Sequence, residues 1–273
     1  MLRRRCVSLA LFLLAGLCGT VTFGFSARAE TTTACTALNI CYCINAANKP
    51  AIETNIATIR QLLAEQRSSG KSIGYLSIPL SSAGGSYFGI NREVALQTKA
   101  AVEKQFGADA VWLLNPGANG QLPAGASGAD YMYMWTSVLE GIRGIGEDFD
   151  FFYFTGPREF ARFFGFTGDG DMTRLDSYFD NRLATDPDFK KAVESGKLSK
   201  FAFRNYYGLR AAVTFSYGSH DEWNIARLLN ERRRGAAAFG IAQQLPILFD
   251  GQAVNPGGYE SAVASGDVGR CIN

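Results

Sequence analysis

The stretch IGYLSIP, from Ile73 to Pro79, is a continuous apolar run ended by a proline. Three later runs share this form, and each is followed by a turn that contains Pro or Gly and one small polar residue: Val111–Leu114, Phe149–Phe154 and Leu245–Phe249. Strands buried on both faces of a parallel sheet have this near-continuous apolar character. The four runs therefore predict parallel strands whose polar residues meet at the carboxyl edge of one sheet.

The segments between these runs have helical periodicity. Pro50–Arg67, Asn91–Phe106 and Ala129–Leu139 carry apolar residues three and four positions apart, which predicts amphipathic helices. Strands that alternate with helices indicate βα units. We therefore predict one α/β domain over residues 30–273, with a mainly parallel sheet of the flavodoxin or Rossmann type and helices on both faces. Ligands of such open sheets bind at the carboxyl edge.

The aromatic-rich stretch at about residues 157–207 differs from the rest of the chain. It is punctuated by Gly165, Gly168 and Gly170, and Asp186-Pro187 is typical of the start of a short helix. We predict a helical insertion that covers the sheet edge, with its phenylalanines used for packing.

The first 29 residues have the three zones of a secretory signal peptide. Arg3–Arg5 is positive, Val7–Leu17 is apolar, and Ser26–Ala29 ends in small residues. We predict cleavage after Ala29 and a periplasmic or secreted protein. The apolar run is shorter than the roughly 20 residues that a bilayer span needs, so no stable membrane anchor is expected.

Charge is counted without this segment. It holds four of the 27 basic residues and none of the 25 acidic residues, so 23 basic residues remain and the net charge is about −2. The one basic cluster left is Arg232–Arg234, which suits a helix end. We therefore expect no nucleic-acid partner. A small-molecule ligand is compatible with this composition, and the sequence does not indicate an oligomeric state.

Four cysteines follow the predicted cleavage site: Cys35, Cys41, Cys43 and Cys271. An even number in an exported protein predicts two disulfides, one of which joins Cys271 to one of the other three. A Cys41–Cys43 bridge is the least favourable pair because one residue separates them. That spacing is also too tight for a usual zinc site, and His220 is the one histidine in the chain, so we expect no metal.

The densest polar cluster is Ser216–Glu222. Glu222 is a candidate nucleophile or general acid/base, and His220 and Asp221 are candidates to tune its pKa. The alternative is structural, because Ser219-x-x-Glu222 also fits a capping box at a helix start. The two interpretations are compatible. The sequence contains no Walker A loop, dinucleotide-binding glycine motif or G-x-S-x-G motif, and no cofactor is expected.

Candidate substrate-binding residues follow the predicted strands. They are Ser77, Ser81, Ser82, Asn115 and Thr155. Ser81 and Ser82 belong to the small-residue loop Pro79–Gly85, which leads into a helix and suits an anion or serves as a plain flexible loop.

Several short segments together resemble the nucleoside 2-deoxyribosyltransferase-like superfamily. They are the Tyr-Leu-x-x-Pro strand Tyr75–Pro79, the Asn-Pro strand end Leu114–Pro116, Asp150 before Phe151, and the small-residue helix Gly235–Ala242 with the strand Leu245–Ile247. The resemblance covers about half of the chain that follows the predicted signal peptide.

The resemblance implies cleavage or exchange of an N-glycosidic bond by a glutamate that attacks the anomeric carbon. Phe239 occupies the matching position here, and Glu222, one helix earlier, is the nearest substitute. Two hypotheses follow: an exported N-glycoside hydrolase or transferase that acts on a nucleoside-like small molecule through Glu222, or a non-catalytic periplasmic binding or structural protein on the same fold.

Export has a direct test. Sequencing of the amino terminus of the protein purified from periplasm or medium should begin at Glu30, because Ala27-x-Ala29 is the pattern that signal peptidase recognises. A cytoplasmic protein that retains Met1 would contradict the predicted location.

Overall fold

The computed structural model describes residues 30–80, 84–208, 216–237, 240, 243–255 and 268–272. Over these ranges the chain forms eight α-helices, a five-stranded sheet and a two-stranded sheet. The strands are β1 (Thr31–Cys35), β2 (Cys41–Asn45), β3 (Ser72–Ser77), β4 (Val111–Leu114), β5 (Phe151–Phe154), β6 (Ile247–Phe249) and β7 (Gln252–Ala253). The helices are α1 (Lys49–Ser68), α2 (Phe88–Phe106), α3 (Gly128–Glu140), α4 (Pro157–Phe164), α5 (Asp171–Thr185), α6 (Pro187–Glu194), α7 (Lys200–Gly208) and α8 (Tyr217–Ala237).

The larger sheet confirms the predicted α/β class and its mainly parallel character. Its strand order is β4-β3-β5-β6-β7, and the first four strands run parallel. β7 is an antiparallel addition that the sequence did not reveal. It follows β6 through Asp250 and Gly251, whose φ angles of 49° and 80° fit the tight turn that joins such a hairpin. The three predicted helices are present as α1, α2 and α3.

Both faces of the larger sheet are buried. Ile73 and Tyr75 of β3 contribute to a core shared with α1, α3 and α8. Leu76, the residue after Tyr75, contributes to a second core shared with α2 and the helices α4 to α7. Successive side chains of a strand point to opposite faces, so an apolar residue at every position is what two cores require. Helices therefore pack on both sides of the sheet.

The predicted insertion contains the four helices α4 to α7. Asp186 begins α6 as expected, and its carboxylate accepts hydrogen bonds of 3.0 Å from the backbone N–H groups of Asp188 and Phe189. Its phenylalanines pack on one another, as predicted; the ring centroids of Phe179 and Phe203 lie 5.1 Å apart. The aromatic composition therefore supplies a core.

The insertion also reaches the carboxyl edge of the sheet. Gly85 lies in the segment between β3 and α2, and a β-carbon at this position would lie 2.2 Å from the backbone oxygen of Ala202 in α7. Only glycine permits this approach, and its φ of 102° also favours glycine.

An antiparallel hairpin, β1–β2, precedes the α/β elements and was not predicted. Two carboxylates of α3 hold it. Glu140 accepts hydrogen bonds from the backbone N–H groups of Ala37 and Leu38 at 2.9 and 2.8 Å. Asp130 accepts one from the backbone N–H of Asn45 at 2.8 Å. These buried acceptors satisfy backbone donors that the hairpin leaves unpaired.

Both predicted disulfides are present. Cys35 pairs with Cys41 across the hairpin, and Cys43 pairs with Cys271. The expectation that Cys271 bonds one of the three early cysteines is confirmed. Two disulfides are compatible with a secreted or periplasmic protein. Within the described ranges, no helix has the length and apolar character needed to cross a bilayer.

Several sequence-based expectations concern residues outside the described ranges. They are the signal peptide (residues 1–29), the loop residues Ser81 and Ser82, the predicted strand Ala211–Phe215, and Phe239.

The two disulfides should differ in their contribution to stability. The Cys43–Cys271 bridge spans 228 residues and the Cys35–Cys41 bridge spans six. In the chain-entropy model, loops of these sizes contribute about 5 and about 2 kcal/mol. Replacing Cys43 and Cys271 by Ala should therefore lower the free energy of unfolding, measured in urea, more than the same replacement of Cys35 and Cys41. Equal losses, or a Cys271 found as a free thiol by mass spectrometry, would contradict this pairing.

Candidate functional site

The site begins at the carboxyl end of the central strand β3. Tyr75 and Ser77 are two positions apart and therefore lie on the same face of the sheet, the face that α8 covers. Both side chains are fully buried. A buried hydroxyl group needs a hydrogen-bond partner, and both of these hydroxyls use the same one.

That partner is Glu222 on α8. The Tyr75 hydroxyl donates to Oε1 of Glu222 at 2.5 Å, and the Ser77 hydroxyl donates to Oε2 at 2.5 Å. Glu222 is 7% exposed, so its carboxyl group lies almost entirely inside the protein. The two contacts join residues about 145 positions apart in the chain and fix the carboxyl group above the strand end.

Ser216 sets the start of α8. Its backbone oxygen accepts from the N–H of His220 at 3.0 Å, and its hydroxyl accepts from the N–H of Ser219 at 3.3 Å. Ser216 is thus the N-cap residue. The predicted capping box of Ser219 and Glu222 is wrong, because Ser219 lies within the first turn and the Glu222 side chain turns inward to β3.

Burial dominates the electrostatics of the site. It raises the pKa of Glu222 to about 7, and the charge of the adjacent Asp221 acts in the same direction. The hydrogen bonds from Ser77 and Tyr75 favour the charged form and lower this pKa in part. Burial and the neighbouring Glu222 raise the pKa of Tyr75 well above its usual value. Tyr75 therefore stays protonated as a donor, while Glu222 changes charge near neutral pH.

Glu222 forms part of the wall of a cavity of about 360 Å³. The polar lining residues are Ser216, Ser219 and Glu222 of α8 and its N-cap, together with Gln121 from the segment between β4 and α3. The rest of the wall is mainly apolar and includes Ile78, Leu80, Phe88, Tyr131, Met132 and Trp135. Ligand sites commonly combine an apolar cavity with a few convergent polar groups.

The predicted strand-end residues lie side by side, but Ser77, Asn115 and Thr155 are not among the residues that line this cavity. Leu114 pairs with Tyr75, and the backbone N–H of Thr155 donates to the oxygen of Ser77 at 2.9 Å. The expected alignment of the strand ends is therefore confirmed. Asn115 and Thr155 are both buried, and neither lines the cavity. Asn115 instead accepts from the N–H of Gly117 at 2.9 Å and thereby shapes the turn.

His220 and Asp221 are also buried but do not line the cavity. Successive residues of a helix point about 100° apart, so these two side chains and Glu222 cannot share one face. Asp221 affects Glu222 through its charge, whereas His220 is not among the groups that shift the Glu222 pKa. Of the predicted polar residues, the structure brings together Ser77 and Glu222.

Sequence reasoning missed the groups that surround this pair. Tyr75 was identified as part of a strand, although its position two residues before Ser77 indicates a shared face. The run YMYMW at Tyr131–Trp135 lies in the predicted helix Ala129–Leu139, and three of its residues line the cavity. The density of aromatic residues in this helix was the available signal.

No group of three or more His, Cys, Asp or Glu side chains that could hold a metal ion occurs in the part of the chain that the structure describes.

The raised pKa of Glu222 predicts a pH-dependent stability. The folded protein holds a proton on Glu222 up to about pH 7, whereas the unfolded chain releases it near the ordinary value of 4.5. Stability from this group is therefore highest below pH 4.5 and falls until pH 7. Between pH 5 and pH 8, the free energy of unfolding of the wild type, relative to Glu222→Gln, should fall by roughly 2 to 3 kcal/mol.

Urea unfolding with the disulfides intact measures this difference. The matched control is Glu53→Gln, at an exposed position of α1. A wild-type minus Glu222→Gln difference that is equal at pH 5 and pH 8 would show that Glu222 titrates alike in the folded and unfolded chain.

Comparisons with known proteins identify no family for this chain. No protein-family model, no curated protein and no solved structure matches this chain. The chemistry of the Glu222 cavity therefore follows from its own residues.

Proposed function

We propose that this chain is an exported N-glycoside hydrolase or transferase that acts on a nucleoside-like small molecule, with Glu222 as the nucleophile. The observation that carries the proposal is the position of Glu222: a buried carboxyl group in a cavity wall, held by Tyr75 and Ser77 at the carboxyl end of the central strand.

The hydrogen bonds suit a nucleophilic carboxylate. Each Glu222 oxygen has two lone pairs, so an oxygen that accepts from Tyr75 or Ser77 retains one that is free to attack. With a pKa of about 7, the carboxyl group is ionised in a substantial fraction of molecules at neutral pH. The low polarity of the site leaves the ionised group weakly solvated, which favours reaction with an electron-poor carbon.

The reaction then has two balanced steps. A Glu222 oxygen forms a bond to the anomeric carbon while the carbon–nitrogen bond breaks, and the electron pair leaves with the base, which takes a proton from water. Water or a second base then attacks the same carbon, gives its proton to the hydroxide left by the first step, and releases the Glu222 carboxylate. Water as the acceptor gives hydrolysis, and a second base gives transfer.

The rest of the cavity supports a nucleoside-like ligand. Tyr131 and Trp135 line a cavity whose polar groups come mainly from α8 and its N-cap. A nucleoside has a flat base and a hydroxyl-bearing ring, so it matches a cavity that combines aromatic and polar lining groups.

The strand order supports the flavodoxin-like form of the fold. β3 lies between β4 and β5, so the chain leaves β3 to one side and returns to the other. Ligands of doubly wound sheets bind beside such a switch point. The Tyr75–Pro79 and Leu114–Pro116 segments, which resemble the nucleoside 2-deoxyribosyltransferase-like superfamily, flank this position.

Export through a cleaved signal peptide is part of the proposal. Its support is the three-zone pattern of residues 1–29 together with the two disulfides.

One observation favours the alternative, a non-catalytic binding protein on the same fold. Among the described residues that line the cavity, Glu222 is the one carboxyl group. A second acid that would protonate the leaving base is therefore not visible there, and a protonated Glu222 would serve as a hydrogen-bond partner for a ligand.

Nucleoside turnover separates the two functions. We expect the wild type to release base from at least one member of a panel of ribo- and 2′-deoxyribonucleosides, measured by chromatography. Glu222→Gln should reduce the rate at least about a hundred-fold, because an amide cannot replace the attacking carboxylate. Tyr75→Phe should retain partial activity. Glu53→Gln, at a position that does not line the cavity, should match the wild type.

A nucleoside that carries fluorine at the 2′ carbon of its sugar slows the second step. It should leave a sugar adduct on the peptide that contains Glu222, detected by mass spectrometry. Binding of nucleosides without turnover would favour the alternative. Neither binding nor turnover across the panel, with a folded protein, would contradict the proposed function and favour a structural role on the same fold.

A further inference from the structure

The Ser219 hydroxyl group is unexplained by the fold. Ser219 is 1% exposed, and its Oγ has no hydrogen-bond partner among the described residues. The residue lines the same cavity as Glu222. Buried polar atoms without a partner are uncommon in native proteins, because each costs free energy. An alanine would avoid this cost, so the hydroxyl group calls for a partner that the described part of the chain does not supply.

The geometry of α8 relates Ser219 to Glu222. The two residues are three positions apart, so they lie on one face of the helix with Cβ atoms about 5 to 6 Å apart. Ser216 already caps the Ser219 backbone N–H through its own hydroxyl group. The Ser219 side chain is therefore not needed for the cap, and the residue lines the cavity in which a ligand would lie.

The apolar part of the cavity lining limits how a ligand lies. Tyr131, Met132 and Trp135 of α3 belong to this part, and Ser219 and Glu222 of α8 contribute polar groups to the same cavity. A nucleoside that packs its base on the apolar side chains leaves its sugar to contact the polar groups. With a Glu222 oxygen at the anomeric carbon, a group one helical turn away meets a substituent on the adjacent ring carbon.

We infer that Ser219 binds the sugar hydroxyl next to the anomeric carbon and thereby selects ribonucleosides over 2′-deoxyribonucleosides. This inference rests on the proposed function, and it names the substrate class of that site. A site built to bond a hydroxyl group rejects the analogue that lacks it, because the buried partner is then left unpaired.

Equilibrium binding isolates this contact from chemistry. The Glu222→Gln protein should bind nucleosides without cleaving them, and isothermal titration would give dissociation constants for adenosine, 2′-deoxyadenosine and 3′-deoxyadenosine. We expect adenosine to bind about ten-fold more tightly than 2′-deoxyadenosine, as one hydrogen bond between uncharged groups provides. Adding Ser219→Ala should weaken adenosine binding about ten-fold and leave 2′-deoxyadenosine binding unchanged.

Thr36→Val is the matched control. Thr36 also carries a buried hydroxyl without a partner among the described residues, and it lies in the β1–β2 hairpin, away from the cavity. Both substitutions should keep or raise the melting temperature, since each removes an unpaired buried hydroxyl group. Only Ser219→Ala should abolish the preference for adenosine.

The possible outcomes test the role of Ser219 and the proposed function separately. Tight binding with an adenosine preference that survives Ser219→Ala overturns the role of Ser219 and leaves the proposed function standing. A preference that depends on Ser219 but distinguishes only 3′-deoxyadenosine overturns the assignment to the adjacent hydroxyl. No binding of any nucleoside by Glu222→Gln, with no turnover by the wild type, overturns the proposed function and the substrate class with it.

Discussion

The hydrogen bonds from Tyr75 and Ser77 to Glu222 join α8 to the central strand, and the candidate site depends on them. A carboxyl group is costly to bury without partners, so α8 can bring Glu222 into the core only where β3 supplies two hydroxyl donors. These donors lie within the last three residues of β3, a strand with a neighbouring strand on each side. The carboxyl group therefore lies at the sheet edge where open α/β folds bind ligands. The two hydrogen bonds thus determine both where the Glu222 carboxyl group lies and its chemical environment.

The same arrangement determines how the site responds to pH. Burial opposes ionisation of Glu222, and the two hydroxyl donors restore part of the balance, which brings the pKa of Glu222 to about 7. A carboxylate exposed to water would be ionised but well solvated, and one without donors would stay protonated. A buried group with two donors lies between these limits. The protein gives up some stability above pH 5 to keep this group there.

Much of the scaffold follows from local sequence patterns. The apolar runs predict the parallel strands, because a strand buried on both faces is mainly apolar along its length. The β1–β2 hairpin was not predicted because it is held by the carboxylates Asp130 and Glu140, which are distant in the sequence. The site was recovered in part. Ser77 and Glu222 meet as their positions at a strand end and a helix start imply, whereas Tyr75 is recognised only once the facing helix is known.

Titration of the Glu222 carboxyl carbon by nuclear magnetic resonance tests the central claim most directly. Protein labelled with ¹³C at glutamate side chains, compared with Glu222→Gln to assign the signal, gives the pKa of this one group. The structure predicts a midpoint near 7 for the wild type. It predicts a higher midpoint in Tyr75→Phe, which loses a hydrogen bond to the charged form. A midpoint near 4.5 that Tyr75→Phe does not move would contradict a buried, hydroxyl-bound carboxyl group.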